Sequence, residues 1–218
     1  CLRDSRSKRL VAYHEIGHAL TGTLLKNHDP VEKVTLVPRG QAAGLTWFTP
    51  VEDQGLISRG QILARMIGTL GGRAAEEVIF GSTEVTTGAS SDIMQVTGMA
   101  RQMVTRYGMS KVGPMAFEVQ QQQQMMGQGS SASGIAPETA AKIDQEVQNI
   151  VTYCHNEARD LINKNRAAVD RLTDELLLKE TISGIEFREI LAEYTAIPEK
   201  TDYVSYFDRE DETVKVIA

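Results

Sequence analysis

The chain has 218 residues and a formal net charge of −6, with no basic stripe, which excludes a general nucleic-acid binder. Its two cysteines, Cys1 and Cys154, are too few for a disulfide framework, no apolar run reaches the length of a membrane span, and no G-x-x-x-x-G-K-[ST] phosphate loop is present. A chain of this length can bury a substantial core, as one large domain or two small ones.

The polar opening "CLRDSRSKR" reads as a segment cut from a longer protein, with residues 1–9 as a linker. From Leu10 the apolar residues Leu10, Val11, Ile16, Ala19, Leu20, Leu24 and Leu25 recur at helical spacing, uninterrupted by proline until Pro30. Inside this helix stands "HEIGH". Residues four apart share a face one turn from each other, so His14 and His18 present two imidazoles to one point. Glu15 lies one step round, able to reach that point without occupying it. This is the H-E-x-x-H pattern, in which two histidines bind Zn²⁺ and the glutamate serves as general base. Gly17 leaves room beside that face for another segment.

Two short strands follow, in "VEKVTLVPRG" and "GLTWFTP", separated by a turn region with Pro38, Gly40 and Gly44. Ser58 opens a helix to about Phe80. Its Gly68, Gly71 and Gly72 lower helix propensity and so point to close packing against a neighbouring helix. Gly81 is its stop signal. A polar loop, "STEVTTGASS", precedes a helix from about Ser91 to Tyr107. Residues 118–137, with glutamines at 120–124, show no periodicity and read as a flexible surface loop. Pro137 begins a long helix through Lys164, in which Cys154 reads as a buried small hydrophobe. Another helix spans Ala167 to Lys179. Ser183 and Glu186 form a capping-box pattern for a last helix through Tyr194, and a loose tail occupies 197–218. The expected fold class is mainly α, with one small β-sheet near the N-terminus.

A catalytic zinc needs a third protein ligand and an open position for water. The extended pattern H-E-x-x-H-x-x-G-x-x-H fails, because Thr21 and Leu24 occupy its glycine and third histidine positions. His28 and His155 read as ordinary surface histidines. The better candidates are carboxylates: Glu76 or Glu77 in "GGRAAEE", and Asp92 in "TTGASSD". Asp92 has a competing reading as a helix cap. Spacing does not choose between them.

The segments "VAYHEIGHAL", "LGGRAAEEVIFG", "TGASSDI" and "RYGMS" together resemble the peptidase domain of the FtsH family, membrane-anchored AAA+ ATP-dependent zinc metalloproteases, over residues 8–196. The resemblance implies a peptidase domain across 10–196, with Asp92 as the third zinc ligand and Glu76 behind the ligands. It implies membrane helices and an ATPase module upstream of Cys1, assembly into homo- or hetero-hexamers with other FtsH subunits, and unfolded or damaged membrane proteins as substrates. "VPRGQAAGLTWFTP" is most similar to cyanobacterial and plastid members, which implies a thylakoid setting. The mechanism expected on that resemblance is hydrolysis with zinc on His14, His18 and Asp92 and with Glu15 as base. A non-catalytic assembly subunit of the same ring is the alternative. The strand Gly44, Leu45, Thr46, Trp47 and Phe48 is expected to bind substrate backbone as a sheet edge, with Trp47 and Phe48 on opposite faces.

Overall fold

In the computed structural model the described residues are 5–37, 43–50, 55–117 and 135–200. Residues 118–134 of the loop expected at 118–137, the turn residues Pro38 and Gly40, and the tail from 201 lie outside them. Six α-helices, three short strands and two 3-10 turns (Ser82–Glu84 and Thr87–Ala89) make up the regular structure described: α1 Ser5–Leu24, β1 Val31–Thr35, β2 Leu45–Phe48, α2 Arg59–Phe80, α3 Ser90–Thr105, α4 Pro137–Lys164, α5 Arg166–Lys179, β3 Thr181–Ser183 and α6 Gly184–Ala192. The chain is mainly helical with one small antiparallel sheet.

Helix α1 is the centre of the molecule. Ala12, Tyr13, Ile16, Ala19 and Leu20 are buried, and so are Gly17, Thr21 and Thr23 on other sides of the helix. A helix buried on most of its circumference must be enclosed by neighbours. Helix α2 is the principal one, with α4, α5 and the sheet around the rest. The backbones of α1 and α2 touch where they cross: a Cβ on Gly17 would lie 2.3 Å from the Gly71 carbonyl oxygen. This is the close packing that the glycines of α2 foreshadow.

Local signals set the ends of the elements. At α2 the Ser58 side chain accepts from Gln61 N (3.2 Å), and Gln61 Oε1 accepts from Ser58 N (2.8 Å). This reciprocal pair satisfies two otherwise unpaired donors. Pro137 occupies the first turn of α4, where its missing N–H costs nothing. Along α4, Ile143, Val147, Ile150, Cys154, Ala158 and Ile162 form one buried stripe against α2 and α3. Cys154 is fully buried, and burial pushes its thiol pKa up to about 12.

The sheet runs β2-β1-β3, so β2 is an edge strand. Strand β1 pairs with β2 (Val34↔Thr46, Thr35↔Leu45), with an irregularity between Val31 and Lys33. Its other edge pairs with β3 (Val34↔Ile182). The sequence reading of the sheet lacked β3, which is three residues wedged between helices. Glu180, in a left-handed conformation (φ 60°), ends α5 and turns the chain into β3. Ser183 then caps α6 by accepting from Glu186 N, while the Glu186 carboxylate pairs with Lys179. The expected tail beyond Pro198 starts tied down: Lys200 Nζ donates to the carbonyls of Gly22 (2.8 Å), Leu25 (2.9 Å) and Thr23 (3.3 Å) at the end of α1. A cation there satisfies helix-terminal acceptors that lack intrahelical partners.

Candidate metal centre

His14 and His18 stand one turn apart on α1, with ring centroids 4.6 Å apart and ring planes nearly perpendicular. The far nitrogen of each ring faces a group that can only accept. His14 Nδ1 donates to Glu76 Oε1 (2.8 Å), and His18 Nδ1 donates to the Gly68 carbonyl (3.0 Å). With hydrogens fixed on both Nδ1 atoms, the two Nε2 lone pairs point at each other across 3.0 Å. Asp92 Oδ2 lies 3.3 Å from His14 Nε2 and 3.5 Å from His18 Nε2. In this neutral form three electron-pair donors converge on one point. Such a set favours a positive charge there, whether a proton or a metal ion. A tetrahedral zinc with bonds of about 2.0–2.1 Å separates its ligand atoms by about 3.3 Å, close to the observed spacings. Of the described residues, His14, His18 and Asp92 form a group able to hold a metal ion. Gly72 keeps the space open, since a Cβ there would lie 2.6 Å from both Nε2 atoms.

The electrostatics agree with the geometry. Burial disfavours the His14 imidazolium, yet its bonds to Asp92 and Glu76 and the charge of Glu15 outweigh that penalty and raise its pKa to about 9. Burial likewise opposes the Asp92 carboxylate, but hydrogen bonds from His14 and His18 hold its pKa far below the usual carboxylate range. Three carboxylates around two imidazoles create a negative site that suits a divalent ion.

The other candidates fall into distinct places. Glu76 is fully buried. Its Oε1 faces the outer nitrogen of His14, and its Oε2 accepts from Thr86 N (2.8 Å) and Thr86 Oγ1 (3.0 Å). It orients His14 from behind and does not reach the convergence point. Glu77 points elsewhere, pairing with His155 Nε2 (2.9 Å) and Arg159 Nε (3.4 Å). His155 is thus engaged by Glu77, away from His14 and His18. His28 is not the surface residue its polar setting suggests: it is 7% exposed, packed against Phe48 with centroids 4.5 Å apart, and donates from Nδ1 to the Asp29 carbonyl. Burial drives its pKa down to about 4. Asp92 sits in the first turn of α3, but that helix has no side-chain cap, and the Asp92 carboxylate turns to the histidines.

Glu15 is 7% exposed, and its Oε2 accepts from Thr46 Oγ1 at 2.7 Å. The site opens into a cleft of about 750 Å³ lined by His14, Glu15, His18 and Asp92 on one side and by Gly44, Leu45, Thr46 and Phe48 on the other. Trp47 does not line it. Its ring turns to the opposite face of β2, with Lys33 Nζ 5.0 Å from its centroid. Thr86 and the Gly68 carbonyl are partners that sequence reading missed, because a threonine in a polar loop and a backbone oxygen carry no distinguishing pattern.

Comparison with known proteins places these features in context. A family model described as peptidase family M41 matches residues 2–190. An "ATP-dependent zinc metalloprotease FtsH" of Trieres chinensis is 57% identical over 95% of this chain and 33% of its own length. An Arabidopsis thaliana protein named "ATP-dependent zinc metalloprotease FTSH 6, chloroplastic" is 51% identical over 91% of this chain and 29% of its own. An FtsH of Cyanidium caldarium is 52% identical over 88% of this chain and 31% of its own. The chain spans about a third of the length of the curated relatives it matches.

Proposed function

The chain belongs to peptidase family M41 and is a zinc metalloendopeptidase domain, and we propose that it is the proteolytic part of an ATP-dependent membrane quality-control protease. The observation that carries the mechanism is the convergence of His14 Nε2, His18 Nε2 and Asp92 Oδ2 beside the Glu15 carboxylate. His14, His18 and Asp92 would hold the zinc; Glu76 fixes the ring of His14 and the Gly68 carbonyl that of His18. When bound, zinc lowers the pKa of water and polarises the scissile carbonyl. Glu15 takes a proton from the attacking water and delivers it to the leaving amine, so no covalent acyl intermediate forms. The edge strand β2 takes substrate as an added strand through backbone hydrogen bonds shared by every peptide, which suits a protease of broad specificity.

The words "ATP-dependent" and "chloroplastic" in the relatives' names support an ATPase module in the same protein and a plastid setting. Beyond those words, the proposal is that the module delivers unfolded or damaged membrane proteins, that subunits assemble into a homo- or hetero-hexamer, and that the thylakoid membrane is the place of action. No helix among the described residues is long and apolar enough to cross a membrane, so the proposed anchor lies in other segments of the protein. A non-catalytic ring subunit is disfavoured by the presence of His14, Glu15 and His18 together.

The test is metal content and degradation of an unfolded protein, measured for the parent and for Glu15→Gln in the full-length protease. The expected result is one zinc per chain in both and turnover only in the parent. Parental activity in Glu15→Gln would remove Glu15 from the mechanism.

A further inference from the structure

Strand β2 and the residue just before it touch the general base from two directions. The Thr46 hydroxyl lies 2.7 Å from Glu15 Oε2, with the Glu15 carbonyl oxygen as a more distant acceptor at 3.1 Å. Two residues earlier, Gly44 packs against the same side chain, where a Cβ would lie 2.8 Å from Glu15 Cγ and 3.0 Å from Oε1. Glu15 is thereby gripped at Oε2 by Thr46 of β2 and crowded along its stem by Gly44, the residue just before that strand. A free glutamate side chain samples many rotamers, and fixing one of them costs conformational entropy. Proton transfer requires one of those rotamers at hydrogen-bond distance from the water.

We propose that Thr46 is a positioning residue for Glu15, its hydroxyl fixing the carboxylate through Oε2 and leaving Oε1, on the side that Gly44 keeps open, to receive the water's proton. This rests on the assignment of Glu15 as base. It adds that strand β2 has two duties. Its backbone edge takes the substrate, and its Thr46 side chain sets the base, so a substrate strand added to β2 is registered against Glu15 through a single rigid element. The hydroxyl itself neither touches zinc nor exchanges a proton with substrate.

The test uses Thr46→Val, which keeps the β-branched shape without the hydroxyl, and Thr46→Ser, which restores it, in the full-length protease with a peptide substrate. For Thr46→Val the expected result is a fall in kcat of about 10- to 100-fold, with KM, zinc content and melting temperature unchanged. Thr46→Ser returns kcat to within a few-fold of the parent. A parental kcat in Thr46→Val, a loss confined to KM, or no recovery in Thr46→Ser overturns the inference while the role of Glu15 stands. Parental kcat in Glu15→Gln overturns the role of Glu15 itself. Should Thr46→Val not fold, Gly44→Ala reads out the same grip. A methyl group there displaces the Glu15 stem and lowers kcat at constant zinc content, and an unchanged kcat counts against the inference.

Discussion

At the residue scale, what separates a metal ligand from its support is the direction each group faces. Asp92 Oδ2 lies against both Nε2 atoms, whereas Glu76 Oε1 meets the opposite nitrogen of His14. On the proposed ligand set, removing the first deletes a bond to the ion. Removing the second frees a ring to rotate and leaves Thr86 without its acceptor. Asp92→Ala is therefore expected to lose stoichiometric zinc at micromolar metal, while Glu76→Ala retains it with affinity reduced about 10- to 100-fold. Zinc content of both variants at one pH, after dialysis against a weak competing chelator, decides the matter. The reverse order would make Glu76 the ligand and leave Asp92 serving only the start of α3. The sequence showed the H-E-x-x-H pair plainly, because both imidazoles lie within one turn of one helix. It could not rank Asp92 above Glu76 without the family resemblance, because the nitrogen each carboxylate faces depends on how α2 and α3 lie against α1. The Thr46–Glu15 bond was hidden for the same reason, its partners being 31 residues apart on different elements.

At the scale of elements, the crossing of α1 and α2 carries the site. Gly71 has the Thr21 hydroxyl 2.3 Å and the Gly17 carbonyl 2.4 Å from where a Cβ would be, and the carbonyl belongs to a helix backbone that cannot step aside alone. Gly71→Ala should push the helices apart, costing about 1–3 kcal/mol as an overpacked core does. It should also weaken zinc binding, since Glu76 and the Gly68 carbonyl move with α2 while His14 and His18 stay on α1. Gly98 is the contrasting case. It is an exposed helical glycine in α3 with nothing within 4 Å of a Cβ, so Gly98→Ala should stabilise by about 0.5–1 kcal/mol with zinc affinity unchanged. Denaturant unfolding and zinc titration of the two variants check both signs, and a neutral Gly71→Ala would mean that the crossing does not set the site. The helices were legible from apolar spacing, with ends within about two residues except at the start of α1, which begins at Ser5 inside the segment expected to be a linker. Strand β3 was not, because Thr181–Ser183 is held as a strand by pairing to β1 rather than by any local pattern.

At the scale of the whole molecule, the metal is a tie between parts that are otherwise unequally secured. Helices α1, α5 and α6 and the sheet are joined through buried apolar contacts such as Leu20, Leu172, Ile182 and Phe187. The stretch from Thr86 into the first turn of α3 is mostly exposed, with Ala89 its buried anchor. It is fastened at Thr86 by Glu76 and at Asp92 by the two histidines. Few buried contacts mean a low local free energy of opening, so this stretch should respond first when the tie is cut. A metal bound only by the folded chain stabilises it by about 2.7 kcal/mol at a hundred times its dissociation constant. For a domain near 200 residues that corresponds to roughly 5–10 °C in melting temperature. Chelation should therefore lower the melting temperature by that order and speed amide hydrogen exchange selectively over residues 88–95. Exchange at the centre of α1 and along α5 should change little, and added zinc should reverse both effects. Acceleration spread evenly over the molecule would make the metal a global rather than a local tie. Unchanged exchange over 88–95, with the metal demonstrably removed, would mean that Asp92 is not held by the ion and that Glu76 alone secures the loop.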